Sequence, residues 1–372
     1  MEKVFYVSDY REGHSDDEAI LLCMEDRKKV AAAQVVFSGE DYRITQSVLL
    51  PSNTTAIIDG CTVKLADGAF DTVFRGDNLV LNEEDPYGLP LDVLPIENVR
   101  ILGRNGAKVE GCDRNPKILN YVKGIEEEPI GDFWGWRTLN ISLSRCDGFE
   151  VGGLSISKAR CWTLSFDMCR NGYVHDLHIH SDVKNGDGVD FRSGCHDCVV
   201  ENITGYTGDD TVACTALTIG RSKLPHPSRV YPGEYSLYPM QPTSCFDNRC
   251  EEDRDISNIS IRNVETGGKH HGVICLAANG CKVHDVTIEN VREIPMDGPN
   301  SWRQATVKIY TGYGSGYTRG DIRDISVSNL RTTYSQHSVF CNAEVENVTL
   351  RNVTAENGAP MHLDFPDGIT VI

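Results

Sequence analysis

A short phrase of alternating apolar and polar residues, bounded by Asn, Asp or Gly, recurs along the chain. It stands at IENVRIL (96–102), VGGLSIS (151–157), VHDLHIH (174–180), VENITG (200–205), ISNISIRNV (256–264), VHDVTIENV (283–291), IRDISVSNL (322–330) and VENVTLRNV (345–353). Each copy carries the pattern of a half-buried strand that ends in a turn. A unit this small cannot bury an apolar face alone, so its copies must stack on one another.

A second phrase follows each later copy: WTLSFD (162–167), GVDFRS (188–193), TVACTA (211–216), GVICLA (272–277), TVKIYT (306–311), SVFCNA (338–343) and PMHLDF (360–365). Stacked without gaps, these give an apolar column of Leu164, Val189, Val212, Val273, Val307, Val339 and Met361. Two residues on stands another, Phe166, Phe191, Cys214, Cys275, Ile309, Cys341 and Leu363. Period-two alternation with apolar residues in register from copy to copy is what a parallel solenoid requires. Successive copies are 25, 23, 61, 34, 32 and 22 residues apart. The short steps are the bare coil, and the long ones carry insertions at 216–255, 292–304 and 312–320. No apolar spacing of three and four residues accompanies the repeat, which excludes a helical solenoid.

The expected fold is therefore all-β: a single-stranded right-handed parallel β-helix, with one domain over 1–372. An uncovered solenoid end exposes core and strand edge, so a cap is expected within 1–40. Ser15 with Glu18, opening AILLCMEDRKKV, reads as a capping box at the start of that helix.

Composition then restricts the partners. A net charge of −18 repels phosphate backbones and anionic lipid, so neither nucleic acid nor membrane is an expected partner. No apolar run approaches a membrane span, and MEKVFYVSDYREGHSDDE lacks the basic-then-apolar layout of a signal peptide. The expected location is cytoplasmic, with the 14 cysteines reduced. Cys214, Cys275 and Cys341 fall on the inward column as small hydrophobes. Cys195 and Cys198 form one isolated Cys-x-x-Cys, and His178 and His180 flank inward Ile179. Neither arrangement calls for a metal, and no cofactor is implied.

Chemistry gathers just ahead of the second phrase. Asn185-Gly186-Asp187-Gly188, Gly208-Asp209-Asp210 and Lys269-His270-His271-Gly272 stand in successive coils. Counted from the apolar column, Asp187, Asp210 and His271 share one position, and Gly186, Asp209 and His270 the position before it. With coils roughly 4.8 Å apart, three carboxyls and one or two imidazoles would cluster. Carboxylates that close cannot all ionise freely, and one is expected to hold its proton near neutrality. Asp beside Gly is also ordinary turn chemistry, which is the competing reading of each pair taken singly. Strict alternation would point Asp187 and Asp210 inward, so the strands must begin after them or bulge there.

With Lys308-Ile309-Tyr310 on the fourth coil, these residues resemble the polygalacturonase family, glycoside hydrolase family 28. Its motifs are Asn-Thr-Asp-Gly, Gly-Asp-Asp, Gly-His-Gly and Arg-Ile-Lys. The resemblance implies that Asp209 is the general acid on the leaving oxygen, that Asp187 and Asp210 activate water, and that His271 orients this set. It also implies inversion of the sugar's configuration. The chain departs from the family at Gly186, at His270, where the family has Gly, and at Lys308 and Tyr310, where one cation of Arg-Ile-Lys is lost and the other exchanged. Together with the net charge, these changes argue for a neutral or singly charged sugar over a polyanionic pectin, with Asp190 and Arg192 at the next outward positions as further contacts.

Tyr235 in the insertion after 216, Trp302, Tyr313, Trp134 and Trp136 are candidate stacking surfaces for an oligosaccharide. Loops folded over the groove would close its end and favour exo-action. The expected activity is thus an exo-acting glycosidase on oligosaccharides. Lyase or epimerase chemistry through Lys308, Tyr310 or His271 is the enzymatic alternative, and a non-catalytic, tailspike-like glycan-binding module the other.

Overall fold

The computed structural model describes residues 3–69, 71–80, 92–114, 117–120, 124–128, 139–217, 254–295 and 303–372. They form a right-handed parallel β-helix built on two long parallel sheets. The ten-stranded sheet contains Leu164–Asp167, Val189–Arg192, Val212–Ala216, His271–Ala277, Ala305–Tyr310, His337–Cys341 and His362–Leu363 in chain order. These are the strands of the second repeated phrase, and their register is the one expected from it. Leu164 pairs with Val189, Val189 with Val212, Val212 with Val273, Val273 with Val307 and Val307 with Val339.

The other sheet carries the first phrase, but its strands are longer than the phrases suggest. Arg170–His180, His196–Tyr206, Ile256–Thr266, Val283–Glu293 and Ile322–Thr332 are each 11 residues long. The Asn and Asp residues read as bounds lie inside them. Asp176, Asn202, Asn263, Asn290, Asn329 and Asn352 all have positive φ, so each strand bends there and resumes pairing on the far side. Asn and Asp tolerate this left-handed region better than other residues with a side chain. Their side chains also bond from coil to coil. Asn202 Nδ2 donates to Asp176 (2.9 Å), Asn263 to Asn202 (3.1 Å), Asn290 to Asn263 (3.1 Å) and Asn329 to Asn290 (3.0 Å).

The core fills the space between the sheets. Phe149 stacks on Phe166, with centroids 4.5 Å apart, and Phe166 on Phe191 at 5.6 Å. Cys214, Cys275 and Cys341 are fully buried in the same interior, and the 12 described cysteines are free thiols. His178 and His180 are exposed, as alternation requires.

At the front, the helix Asp16–Arg27 begins with the expected capping box between Ser15 and Glu18. It lays Ala19, Ile20, Cys23 and Met24 on the first coil. Arg27 donates to the carbonyls of Val30, Ser52 and Asn53 and ties the helix's end to the solenoid. The segment ahead of the helix joins the sheet itself, with Lys3–Tyr6 paired in parallel with Ala33–Ser38. Among the described residues, no helix is long and apolar enough to cross a membrane.

Phe191 sits at the end of the phenylalanine stack with no exposed surface. Phe191→Ala is expected to cost about 3–5 kcal/mol of stability through lost burial and the cavity left behind. Urea unfolding measures this, and a loss below about 1 kcal/mol would show that the coil collapses around the gap.

Candidate active site

The outward side of the ten-stranded sheet holds the chemistry. The strands Val189–Arg192 and Val212–Ala216 begin two residues after Asp187 and Asp210, so both carboxylates stand on the turns that lead into them. This resolves the conflict with strict alternation, because neither Asp lies within the alternating segment. Asn185, at φ 53°, makes the turn that presents Gly186 and Asp187. Backbone bonds run up the turns: Gly208 donates to Gly186 (3.1 Å), Gly188 to Asp210 (2.8 Å), Thr211 to His271 (3.0 Å) and Gln304 to His270 (3.0 Å).

Two close approaches account for the glycines that follow the site residues. A Cβ on Gly188 would come within 2.4 Å of the Thr211 carbonyl oxygen, and one on Gly272 within 2.7 Å of the Thr306 carbonyl oxygen. Beneath the turns, Thr207 bonds Thr211 (3.0 Å) and Thr211 bonds Thr266 (2.6 Å) in a buried hydroxyl chain. The coil that carries Asp209 and Asp210 is thereby locked from inside to the coil that carries His270 and His271.

The structure brings Asp187, Asp209, Asp210, His270, His271 and Lys308 into one patch. Two imidazole–carboxylate pairs stand side by side across the same two coils. His270 Nδ1 lies 3.0 Å from Asp209 Oδ1, and His271 Nδ1 bonds Asp210 Oδ1. The rings of the two histidines are 5.8 Å apart and nearly perpendicular. Asp187, Asp210, His271 and Lys308 are buried, whereas Asp209 and His270 are more open, with side chains 21% and 42% exposed.

Gln304, which sequence reasoning assigned to an insertion, completes the set. The insertion expected at 292–304 is shorter than that span at both ends, since Val283–Glu293 is strand and Gln304 lies on the site column. Its signal was an offset: Gln304 precedes Val307 by three residues, as Asp209 precedes Val212 and His270 precedes Val273. Gln304 Oε1 accepts from Lys308 Nζ at 2.7 Å and lies 2.9 Å from His271 Nε2. An ammonium can only donate, so the atom facing it is the amide oxygen, and His271 Nε2 must then carry a proton. The remaining imidazole nitrogen, Nδ1, faces Asp210 Oδ1.

Protonation follows from this crowding. Asp187 is held well above the usual carboxylate range by burial first, then by the charges of Asp190, Asp209 and Asp210, with Arg192 acting the other way. One Asp187 oxygen is buried without a hydrogen-bond partner, a costly arrangement for a carboxylate and a tolerable one for a neutral acid. The bond to Asp209 raises His270 above the ordinary imidazole value, against the effect of burial. Burial lowers Lys308, against the pull of Asp210 and Asp209.

The other expected contacts surround this patch. Asp190 and Arg192 are buried on the Asp187 strand, and the Arg192 guanidinium lies 4.3 Å above the Trp162 ring. Tyr310 presents its ring to Lys308 Nζ at 4.1 Å and meets exposed Tyr313 edge-on at 5.8 Å. Tyr235, Trp302, Trp134 and Trp136, and most of the 216–255 insertion, lie outside the described residues. Among the described residues, no group of three His, Cys, Asp or Glu side chains could hold a metal ion.

No family model matches the chain, and no curated protein is similar to it in sequence. Solved structures are. The chain is similar over its whole length to an exopolygalacturonase from Thermotoga maritima, at 14% identity, a TM-score of 0.56 and 92% coverage of that chain. A family 28 exopolygalacturonase from Yersinia enterocolitica follows at 12% identity and a TM-score of 0.55, with 100% of this chain and 77% of that one covered. The tailspike protein of E. coli bacteriophage HK620, solved with a pentasaccharide, aligns at 11% identity and a TM-score of 0.59 over 99% of this chain and 66% of its own. The chain thus shares the parallel β-helix fold of these structures.

The state of Asp187 has a measurable consequence for stability. Unfolded, an aspartate titrates near about pH 3.9, whereas folded Asp187 binds its proton more tightly. Its contribution is therefore full below about pH 4 and is lost as pH rises through the folded pKa. Asp187→Asn removes this titration. Thermal melts of the variant are expected to decline less than wild type between about pH 4 and neutrality, and an identical decline would contradict a protonated Asp187.

Proposed function

We propose that this chain is a glycoside hydrolase that acts from one end of an oligosaccharide and inverts the configuration of the released sugar. The observation that carries the reading is the clustering of a buried carboxyl, Asp187, whose hold on its proton is strengthened by burial and by neighbouring charges, with two carboxyls that are each paired with an imidazole. Acid and base held together by their surroundings are what hydrolysis of an acetal needs.

In this reading Asp209, the most open of the three, protonates the leaving glycosidic oxygen. Water is held between Asp187 and Asp210. The protonated Asp187 orients it, and Asp210, backed by His271 and Gln304, takes its proton as the oxygen bonds to the anomeric carbon. Inversion needs acid and base about 6.5–9.5 Å apart with water between them. Here the acid and the base stand on neighbouring columns of one coil, with Asp187 on the coil before to complete the water site. The names of the similar structures, two exopolygalacturonases and a tailspike with bound pentasaccharide, support an oligosaccharide substrate and exo-action.

A neutral or singly charged sugar fits better than a polyuronate. Lys308 is turned onto Gln304 and Tyr310, and Arg192 lies against Trp162. One observation favours lyase or epimerase chemistry as the second reading: Lys308 is buried with its affinity for a proton lowered, as a carbon-acid base requires.

A panel of chromogenic glycosides and neutral and uronic oligosaccharides tests both readings. Turnover is expected without added metal, with the product anomer inverted by NMR and no ultraviolet-absorbing unsaturated product. Asp209→Asn is expected to lose about 10²–10⁴-fold in kcat/KM. Undiminished turnover in that variant would remove Asp209 from the reaction, and an unsaturated product would replace the hydrolase with a lyase.

A further inference from the structure

Two histidines stand where one would suffice to orient the base. His271 is buried, bonded at both ring nitrogens and directed at Asp210. His270 occupies the outer column, on the coil after Asp209, and its Nδ1 is 3.0 Å from the Asp209 carboxylate. Its side chain is 42% exposed, so bulk water can reach the ring and exchange protons with it.

We propose that His270 is the proton reservoir of the acid: its Nδ1 proton passes to Asp209 and from Asp209 to the leaving oxygen. This rests on the hydrolase reading for the final transfer, but the shared proton of the pair stands independently of any substrate. The balance is complete. The glycosidic C–O bond breaks as the leaving oxygen gains the proton that His270 gave up, and Asp209 ends as the carboxylate it began as. The anomeric carbon bonds the water oxygen, and Asp210 takes the water proton. Release of that proton to solvent and recapture of one by His270 restore the site, with one water consumed.

The surroundings explain why such a relay is useful here. Asp209 lies among other carboxyls with His270 in contact at 3.0 Å, and the acid needs a proton to give. An imidazolium in contact can supply one. The groups that act on His270 are Asp209 and Asp210, which favour its charge, and Lys308, which opposes it. Neighbouring His271 adds a ring that shares its proton with Asp210.

The test begins without substrate. NMR titration of the imidazole carbons of wild type, with His270→Gln to assign the signal, is expected to show His270 protonated above the ordinary imidazole value of about 6.5. In Asp209→Asn it should return to or below that value. Titration at or below the ordinary value in wild type, or no response to Asp209→Asn, overturns the pair. On a chromogenic glycoside turned over by the wild type, His270→Gln is expected to lose at least tenfold in kcat/KM. The basic limb of its pH profile should move, and the loss should grow as the leaving group becomes a poorer one. Imidazole added to His270→Gly should restore part of the rate. A uniform loss across leaving groups with an unmoved pH profile reduces His270 to a structural contact and overturns the relay. If no glycoside is turned over, the hydrolase reading fails and the titration alone decides the pair.

Discussion

In-register stacking is the constraint from which the rest of the molecule follows. Each strand of the ten-stranded sheet takes its hydrogen bonds from the coils before and after it, so residues at the same offset stand about 4.8 Å apart. The long strands keep that phase through their bends, where Asn and Asp side chains bond from one coil to the next. A residue's neighbours are therefore set by its offset from the apolar columns and not by its distance along the chain. Asp210 and His271 meet across 61 residues because the insertion between them leaves the offset intact.

The same constraint generates the chemistry. A solenoid with no spare volume between coils cannot move Asp187, Asp209 and Asp210 apart, so their charges are resolved by protonation and pairing. Asp187 holds its proton more tightly than an ordinary aspartate, Asp209 takes His270 and Asp210 takes His271. The hydroxyl chain from Thr207 through Thr211 to Thr266 holds the coil of Asp209 and Asp210 against the coil of the two histidines from the inner side of the turns. Rigidity and reactivity thus share one cause, because a looser turn would let the carboxyls relax into water and return Asp187 to an ordinary aspartate.

What was legible in the sequence is what repeats. Leu164, Val189, Val212, Val273 and Val307 could be aligned because an inward side chain has no alternative to being apolar, and the observed pairing follows that alignment residue for residue. The long strands were not legible at full length. Asn202 and Asn263 signal a turn, yet a single left-handed residue only bends a strand whose partner bends in step. Gln304 was hidden for another reason. It is uncharged and ends an insertion, so only its offset marks it. The contact of His270 with Asp209 follows from their shared column, but only the structure gives it a direction. The aromatics Tyr235 and Trp302 belong to insertions, where no repeat constrains position.

The cations of the patch carry the argument about substrate further than net charge does. Lys308 and His271 share one acceptor, the Gln304 oxygen. A uronate carboxylate that drew Lys308 away would leave that oxygen to His271 alone and free the amide to turn. A turned amide offers His271 Nε2 a donor in place of an acceptor, so Nε2 gives up its proton and the tautomer that faces Asp210 changes. In the proposed hydrolysis, gripping an anionic sugar through Lys308 would therefore disturb the imidazole that stands behind the base, because both depend on the orientation of one side chain. Here the remaining lysine is tied to the base, and a sugar recognised through hydroxyls leaves that tie intact.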